Sequence, residues 1–215
     1  MLQAPASGLS PRFLAFFPES DLRDRSLLDV GCGTGRVTLV LAPACRRAVG
    51  LDREPSLIAE ARERATQAGL FNVEFDVADV EATEYDTWRP DVVTAHLCAS
   101  DGIIERAARA LPPGGVLAMV AFHVDQWKET GKVSRFAYDE ARLRASLERA
   151  GLRVEALEVE AEVQRFGSVE EALAAAVGLE ERWRADGRWF RYITFLEQGG
   201  RTLTRSHLLA KARRP

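Results

Sequence analysis

Three glycines at alternate positions, Gly31, Gly33 and Gly35, form the segment of this chain with the clearest chemical potential. They follow an apolar run that ends near an acid, Asp29, and a second acid, Asp52, stands 17 residues after the last glycine. Glycine lets the backbone turn tightly and lets a ligand approach it closely, because it carries no side chain. An apolar strand, a glycine loop and a helix in this order predict a site for a nucleoside-containing cofactor.

The spacing of the glycines decides which cofactor is favoured. A dinucleotide-binding loop needs its third glycine at position 36, where it packs helix on strand beside a pyrophosphate, and here that position is Arg36. A nicotinamide-dependent oxidoreductase is therefore a weak alternative. A nucleoside-triphosphate loop ends in Gly-Lys-Ser/Thr, and the first lysine of the chain is Lys128.

The segment Asp29-x-Gly31-x-Gly33-x-Gly35, with Asp52 after the next strand, resembles motif I and its following acid in class I S-adenosylmethionine-dependent methyltransferases. The resemblance runs from Leu27 to Phe122, because residues 112–115 match the Pro-Gly-Gly turn before strand five of that family. It implies S-adenosyl-L-methionine as the cofactor and methyl transfer as the activity. The alternative is a non-catalytic S-adenosylmethionine-binding or regulatory protein.

The resemblance also implies which residues bind the nucleoside part of the cofactor. Asp52 suits the ribose diol, because a carboxylate accepts hydrogen bonds from both hydroxyls. Asp79 and the backbone N–H of Val80 match the place where the family binds adenine, with Asp76 as the rival if the third strand ends elsewhere. Arg53 either stacks beside the adenine or points to solvent.

The methionyl part of the cofactor carries an ammonium and a carboxylate. The loop with Gly31, Cys32, Gly33 and Gly35 is expected to meet the ammonium through backbone carbonyls and Asp29, directly or through water, and the carboxylate through the helix N-terminus. In the family, the residues after strand four contact the methionyl group and begin the acceptor site. His96 stands there.

Methyl transfer requires above all that the nucleophile and the methyl group are held in line, and such positioning can supply roughly 7–11 kcal/mol. A general base is needed only when the acceptor is protonated at neutral pH. His96, His123 and Tyr138 are the catalytic candidates, by position and not by motif. For His96, a loop histidine with one satisfied nitrogen and no catalytic role is the equal alternative.

Composition narrows the acceptor and the cellular setting. The chain has 215 residues, 47% of them hydrophobic, and a net charge of -3 without a basic face, which favours a small-molecule acceptor over nucleic acid. The three cysteines and three histidines show no metal-ligand spacing, so no metal site is expected. No leader or membrane-length apolar run is apparent, which predicts a cytoplasmic protein. The oligomeric state stays open.

The elements that must position these residues follow from the periodicity. Short apolar runs that alternate with helical segments predict an α/β fold with a doubly wound, mostly parallel sheet covered on both faces. The resemblance to the methyltransferase family implies that the sheet has seven strands, that the seventh is antiparallel and that the fold is Rossmann-like. Strands are predicted at residues 26–30, 47–51, 72–76, 91–95, 115–122, 153–163 and 202–210, and helices at residues 35–43, 55–68, 101–111, 138–150, 168–186 and 189–197.

We expect one methyltransferase domain over residues 1–215, with an N-terminal arm or lid over residues 1–25. About 40 residues separate strands six and seven, far more than a hairpin needs, which predicts a helical cap over residues 164–200. Its neighbourhood is rich in aromatic side chains, which either line an acceptor pocket or form a core: Trp127, Trp183, Trp189, Phe190 and Tyr192. The basic cluster at residues 211–214 is expected to be a solvated tail without function.

Overall fold

The computed structural model describes residues 8–215, so residues 1–7 of the predicted N-terminal arm lie outside the described residues. Within these described residues the chain forms seven strands: β1 (Ser26–Val30), β2 (Arg47–Asp52), β3 (Val73–Val77), β4 (Val92–His96), β5 (Val116–Phe122), β6 (Arg153–Arg165) and β7 (Thr202–Arg213). The α-helices are α1 (Pro11–Ala15), α2 (Glu19–Leu22), α3 (Arg36–Leu41), α4 (Pro55–Gln67), α5 (Asp101–Ala110), α6 (Glu140–Arg149), α7 (Val169–Ala176), α8 (Glu180–Asp186) and α9 (Arg188–Glu197).

The strands form one sheet in the order β3-β2-β1-β4-β5-β7-β6. The first five strands are parallel in every pair from β3 to β5. β7 runs antiparallel to β5, because hydrogen bonds join Arg214 to Gly115 near one end and His123 to Ser206 near the other. The doubly wound, Rossmann-like fold predicted from the sequence is confirmed.

The chain divides into two compact units, which we describe separately. Of the described residues, the first unit comprises residues 8–121, 140–158 and 209–215, and the second comprises residues 122–139 and 159–208. All five residues of β1 are buried, as expected for a central strand of a parallel sheet.

In the first unit, the apolar N-terminal segment is packed into the core. Phe13, Phe16 and Phe17 are buried, and the rings of Phe13 and Phe17 meet edge to face at 5.2 Å. Within the predicted N-terminal arm, α1 begins at Pro11. Its start is fixed by Ser10, whose hydroxyl oxygen accepts hydrogen bonds from the Arg12 and Phe13 N–H groups.

The expectation of a solvated basic tail is also wrong. β7 continues to Arg213, and Lys211 is a buried residue of it. The Lys211 ammonium donates hydrogen bonds to Asp21 Oδ2 at 2.7 Å and to the carbonyl of Phe16 at 2.8 Å. Arg213 pairs with Asp21 and with Glu155. Carboxylates on other elements compensate the burial of these cations, which a sequence window at the C-terminus cannot reveal.

The second unit has its own aromatic core between β7 and α7, α8 and α9. Trp183 and Tyr192 are completely buried, and the rings of Trp127 and Trp183 meet edge to face at 5.3 Å. Trp189 is buried as well, whereas Phe190 is 59% exposed. Of the aromatic residues singled out in the sequence, all except Phe190 therefore belong to a packed core.

Within residues 8–215, no helix has the length and apolar character to cross a membrane.

Candidate functional site

The glycine loop connects β1 to α3 and depends on a backbone that other residues avoid. The φ angles of Gly31, Gly33 and Gly35 are +68°, +54° and +78°, in the left-handed region that favours glycine. A Cβ atom on Gly31 would lie 2.4 Å from the sulfur of Cys98, whereas one on Gly33 would meet no atom within 4 Å. Gly31 is therefore required for packing, and Gly33 leaves open space beside its backbone.

The third glycine makes room for an aromatic ring beneath the loop. A Cβ atom on Gly35 would lie 2.7 Å from the Phe75 ring, and one on Gly50 of β2 would lie 2.5 Å from it. Phe75 is buried there with Cys32 and Ala61. Sequence reasoning missed Phe75, although a glycine inside a strand, such as Gly50, often marks a close approach of this kind.

Asp29 lies under the loop with its carboxylate buried. Its Oδ2 accepts hydrogen bonds from the N–H and the hydroxyl of Thr38, at 3.1 and 2.6 Å, and its Oδ1 accepts one from the Thr94 hydroxyl at 2.8 Å. Burial raises the pKa of Asp29 to about 6, although the three hydrogen bonds act in the opposite direction. Asp29 thus joins β1, α3 and β4. Sequence reasoning did not single out Thr38 and Thr94 as partners of Asp29. The signal that could have indicated them is a hydroxyl side chain within an otherwise apolar run.

Asp52 connects the end of β2 to the glycine loop. Its Oδ2 accepts a hydrogen bond from the Gly33 N–H at 2.8 Å, and its Oδ1 accepts one from the Glu54 N–H at 3.0 Å. Arg53 is exposed and has no side-chain hydrogen bond or ion pair within residues 8–215. The structure therefore brings Asp52 and Gly33 together and leaves the Arg53 side chain in solvent.

The two acids proposed for the adenine occupy different positions. β3 ends one residue later than predicted, so Asp76 is part of the strand, with its carboxylate 3.9 Å from the Arg62 guanidinium. Asp79 follows the strand, and its Oδ1 accepts a hydrogen bond from the Glu81 N–H at 2.9 Å. The N–H of Val80 makes no hydrogen bond within the described part of the chain. The Asp79 carboxylate, which is an acceptor, and the Val80 N–H, which is a donor without a partner in the described residues, are thus adjacent in the chain.

A cavity of about 310 Å³ opens beside the glycine loop in the first unit. Its lining combines backbone of the loop with charged and apolar side chains: Asp29, Gly31, Cys32, Gly33, Thr34, Arg36, Val37, His96 and Leu97. Of the sequence candidates for catalysis, this cavity contains His96. The imidazole packs edge to face against the ring of Phe13 at a centroid distance of 5.4 Å.

His123 and Tyr138 lie next to each other in the second unit, and both are buried. The Nδ1 atom of His123 is 2.9 Å from the Ser206 hydroxyl and accepts a hydrogen bond from the Asp125 N–H at 3.3 Å. Tyr138 precedes α6, which begins at Glu140, so its predicted place at the start of this helix is wrong. Its backbone is instead hydrogen bonded to residues 122 and 124.

The cysteines near the loop are thiols at neutral pH. Burial raises the pKa of Cys98 to about 11, with a further contribution from the nearby Asp52 carboxylate, and burial raises the pKa of Cys32 as well. A nucleophilic or metal-binding cysteine has to be a thiolate. The two side chains therefore act here through their size.

Comparison with known proteins places this geometry in a family. A family model described as a methyltransferase domain matches residues 22–172. The chain is 36% identical over 103 residues to the 2-heptyl-1-hydroxyquinolin-4(1H)-one methyltransferase of Mycobacteroides abscessus, a stretch that covers 45% of each protein. The match thus spans less than half the length of that relative.

Solved structures show the same fold across nearly the whole chain. The YcgJ protein of Bacillus subtilis superposes with a TM-score of 0.72 at 16% identity, covering 96% of this chain and 100% of that one. The phosphoethanolamine N-methyltransferase 2 of Haemonchus contortus, in complex with phosphomonomethylethanolamine and S-adenosylhomocysteine, superposes with a TM-score of 0.63 at 19% identity. It covers 95% of this chain and 53% of that one. At these identities the likeness concerns the fold.

Proposed function

The chain belongs to the class I S-adenosylmethionine-dependent methyltransferase family, and on this premise we propose that it transfers a methyl group from S-adenosyl-L-methionine to a small-molecule acceptor. The observation that carries the proposal is the position of Gly33 in the lining of a cavity of about 310 Å³. Open space lies beside its backbone, and its N–H donates a hydrogen bond to the Asp52 carboxylate. A ligand with a ribose and a zwitterionic end requires such a combination of a carboxylate, exposed backbone groups and space.

The residues present fit the parts of this cofactor. Asp52 would hold the ribose hydroxyls, the carboxylate of Asp79 and the N–H of Val80 would hold the adenine, and the loop from Gly31 to Gly35 would hold the methionyl end. When bound, S-adenosylmethionine supplies an electrophilic methyl group on a sulfonium. Asp29 is buried, unlike Asp52, and both its carboxylate oxygens accept hydrogen bonds from threonines, so we assign to it the positioning of the loop beneath the ligand.

A small molecule is the acceptor that the charge distribution favours. The net charge of the chain is -3, which does not attract a phosphate backbone. The relative from Mycobacteroides abscessus acts, by its name, on a hydroxyquinolone, a molecule of this size class. We further propose a cytoplasmic location, because all three cysteines are free, as is usual in a reducing compartment.

Methyl transfer is tested with the full chain and S-adenosylmethionine that carries a labelled methyl group. The acceptor probes are 2-heptyl-1-hydroxyquinolin-4(1H)-one and a cell metabolite extract. We expect a labelled product together with S-adenosylhomocysteine. Binding of the cofactor without any labelled product would favour the regulatory alternative, and binding of NADH in place of S-adenosylmethionine would overturn the assignment.

The role of Asp52 is tested in the same assay by its replacement with alanine. We expect Asp52→Ala to weaken S-adenosylhomocysteine binding about tenfold to a hundredfold by calorimetry, because hydrogen bonds to a charged group are lost. Glu63→Ala, at an exposed position of α4, is the matched control and should leave the affinity unchanged. An unchanged affinity in Asp52→Ala would remove this residue from the site.

A further inference from the structure

Tyr85 is a buried side chain whose hydroxyl is bonded to the backbone of the loop after β3. The residue is 0% exposed, and its hydroxyl donates a hydrogen bond to the carbonyl oxygen of Val80 at 2.7 Å. Burial raises the pKa of Tyr85, so the hydroxyl keeps its proton and stays a donor. The carbonyl of Tyr85 in turn accepts a hydrogen bond from the Trp88 N–H at 3.1 Å. The loop therefore has a fixed donor on its buried side.

The peptide group between Val80 and Glu81 is held at both of its polar atoms. Its oxygen, on Val80, accepts the hydrogen bond from Tyr85, and its N–H, on Glu81, donates a hydrogen bond to Asp79 Oδ1 at 2.9 Å. Because a peptide group is planar, a restraint on the oxygen also restrains the direction of the N–H. Tyr85 therefore determines how the N–H that engages the Asp79 carboxylate is oriented.

The contact made by Tyr85 differs from the other side-chain contacts of this loop in its burial. The hydrogen bond between Tyr85 and Val80 is buried, whereas the one between Glu81 and Asp79 is exposed. The hydrogen bonds that Glu84 accepts from Arg109 of α5, at 3.1 and 2.9 Å, are exposed as well. Water competes with exposed hydrogen bonds, and a buried one is electrostatically stronger. Among these contacts, that of Tyr85 restrains the loop most.

We propose that Tyr85 is a positioning residue that sets the preference of the site for adenine. The proposal rests on the function proposed above, in which the carboxylate of Asp79 and the N–H of Val80 hold the adenine. A site of this kind discriminates between bases by an acceptor and a donor at fixed places, because a base with reversed groups leaves both unpaired. Tyr85 is fully buried and acts through the peptide group between Val80 and Glu81.

The test compares two ligands by calorimetry with the full chain. S-adenosylhomocysteine carries adenine, whereas S-inosylhomocysteine carries hypoxanthine, which has an oxygen in place of the amino group and an N–H in place of the acceptor nitrogen. We expect the unmodified chain to bind S-adenosylhomocysteine at least about tenfold more tightly. In Tyr85→Phe, which removes the hydroxyl and keeps the ring, this ratio of affinities should fall about threefold or more, because the carboxylate is held less firmly.

Tyr192→Phe is the matched control for the loss of a buried hydroxyl. Tyr192 is also 0% exposed, and its hydroxyl donates a hydrogen bond to a backbone carbonyl of the second unit, that of Thr202, at 3.2 Å. Both variants should unfold at a lower temperature than the unmodified chain, because each leaves a carbonyl without its donor. The ratio of affinities should fall in Tyr85→Phe alone, since a loss of stability affects both ligands equally.

A second variant, Asp79→Ala, tests the path of the effect at an exposed position. It should lower the ratio of affinities by itself, and adding Tyr85→Phe should lower it no further, because Tyr85 acts through that carboxylate. An unchanged ratio in Asp79→Ala would overturn the proposal.

The proposal is also overturned if Tyr85→Phe keeps the ratio of the unmodified chain, or if Tyr192→Phe lowers the ratio to the same extent. Equal binding of the two ligands by the unmodified chain would overturn it together with the placement of adenine at Asp79 and Val80. These outcomes leave methyl transfer itself intact. Failure of S-adenosylhomocysteine to bind to the unmodified chain would instead overturn the proposed function.

Discussion

At the scale of single residues, Asp29 shows how a buried charge is kept in a parallel sheet. Its neighbours on α3 and β4 supply three hydrogen bonds, yet burial dominates and raises the pKa of Asp29 to about 6. The folded protein therefore holds this proton more tightly than the unfolded chain, in which an aspartate titrates near 3.8. Asp29 thus contributes stability at low pH, and this contribution is lost as the pH rises from about 4 through about 6.

The replacement Asp29→Asn tests this linkage. A difference of about two pKa units corresponds to about 3 kcal/mol between the two ends of this pH range. The free energy of unfolding of the unmodified chain, measured by urea titration, should therefore fall relative to that of Asp29→Asn between pH 4 and pH 6.5. Using the difference between the two proteins cancels other groups that titrate in the same range. Parallel pH curves would contradict the assignment.

At the scale of elements, the glycine loop combines two separate requirements. Gly31 has to be small because Cys98 packs against it, whereas Gly33 has to be small because its backbone faces open space that we assign to the cofactor. Both positions have positive φ, so a side chain introduced at either position strains the backbone to a similar extent. The difference between alanine variants at the two positions therefore isolates the contact with Cys98.

We expect Gly31→Ala to lower the thermal stability more than Gly33→Ala, and Gly33→Ala to lower the affinity for S-adenosylhomocysteine while costing about 1–2 kcal/mol of stability. Adding Cys98→Gly to Gly31→Ala should restore part of the lost stability, because the clashing side chain is then absent. The single variant Cys98→Gly is the control for the effect of that replacement alone. Equal losses in both alanine variants, without any rescue, would argue against this packing.

At the scale of the whole molecule, long-range ion pairs close the first unit. Lys211 and Arg213 of β7 meet Asp21, which follows the N-terminal phenylalanine segment, and Glu155 of β6. Burial of Asp21 acts to raise its pKa, but hydrogen bonds and charges from Lys211 and Arg213 outweigh it and lower the pKa below 3.8. The stabilisation by Asp21 is therefore present above pH 3.8 and is lost as the pH falls through the lowered pKa.

The replacement Lys211→Met should lower the free energy of unfolding by about 1.5–3 kcal/mol at neutral pH, because Asp21 and the carbonyl of Phe16 lose a charged donor. The double variant with Asp21→Asn should lose less than the sum of the two single effects, as expected for residues in contact. Lys128→Met, at an exposed position of the second unit, is the control. Additive effects at positions 21 and 211 would show that the pair contributes little.

The sequence by itself determined the elements and the chemistry of the loop. Glycine spacing, apolar runs and breakers act over a few residues, so the sequence predicts β1 with its observed bounds and places Asp52 at the end of the second strand, where it is the last residue of β2. The roles assigned to Asp52, Asp79 and His96 stay predictions. Only the tertiary structure decided which distant side chains meet: Thr38 and Thr94 on Asp29, Phe75 under Gly35, Asp21 on Lys211. These contacts depend on the order of strands in the sheet and on the packing of helices against it, and neither is encoded within a local window of sequence.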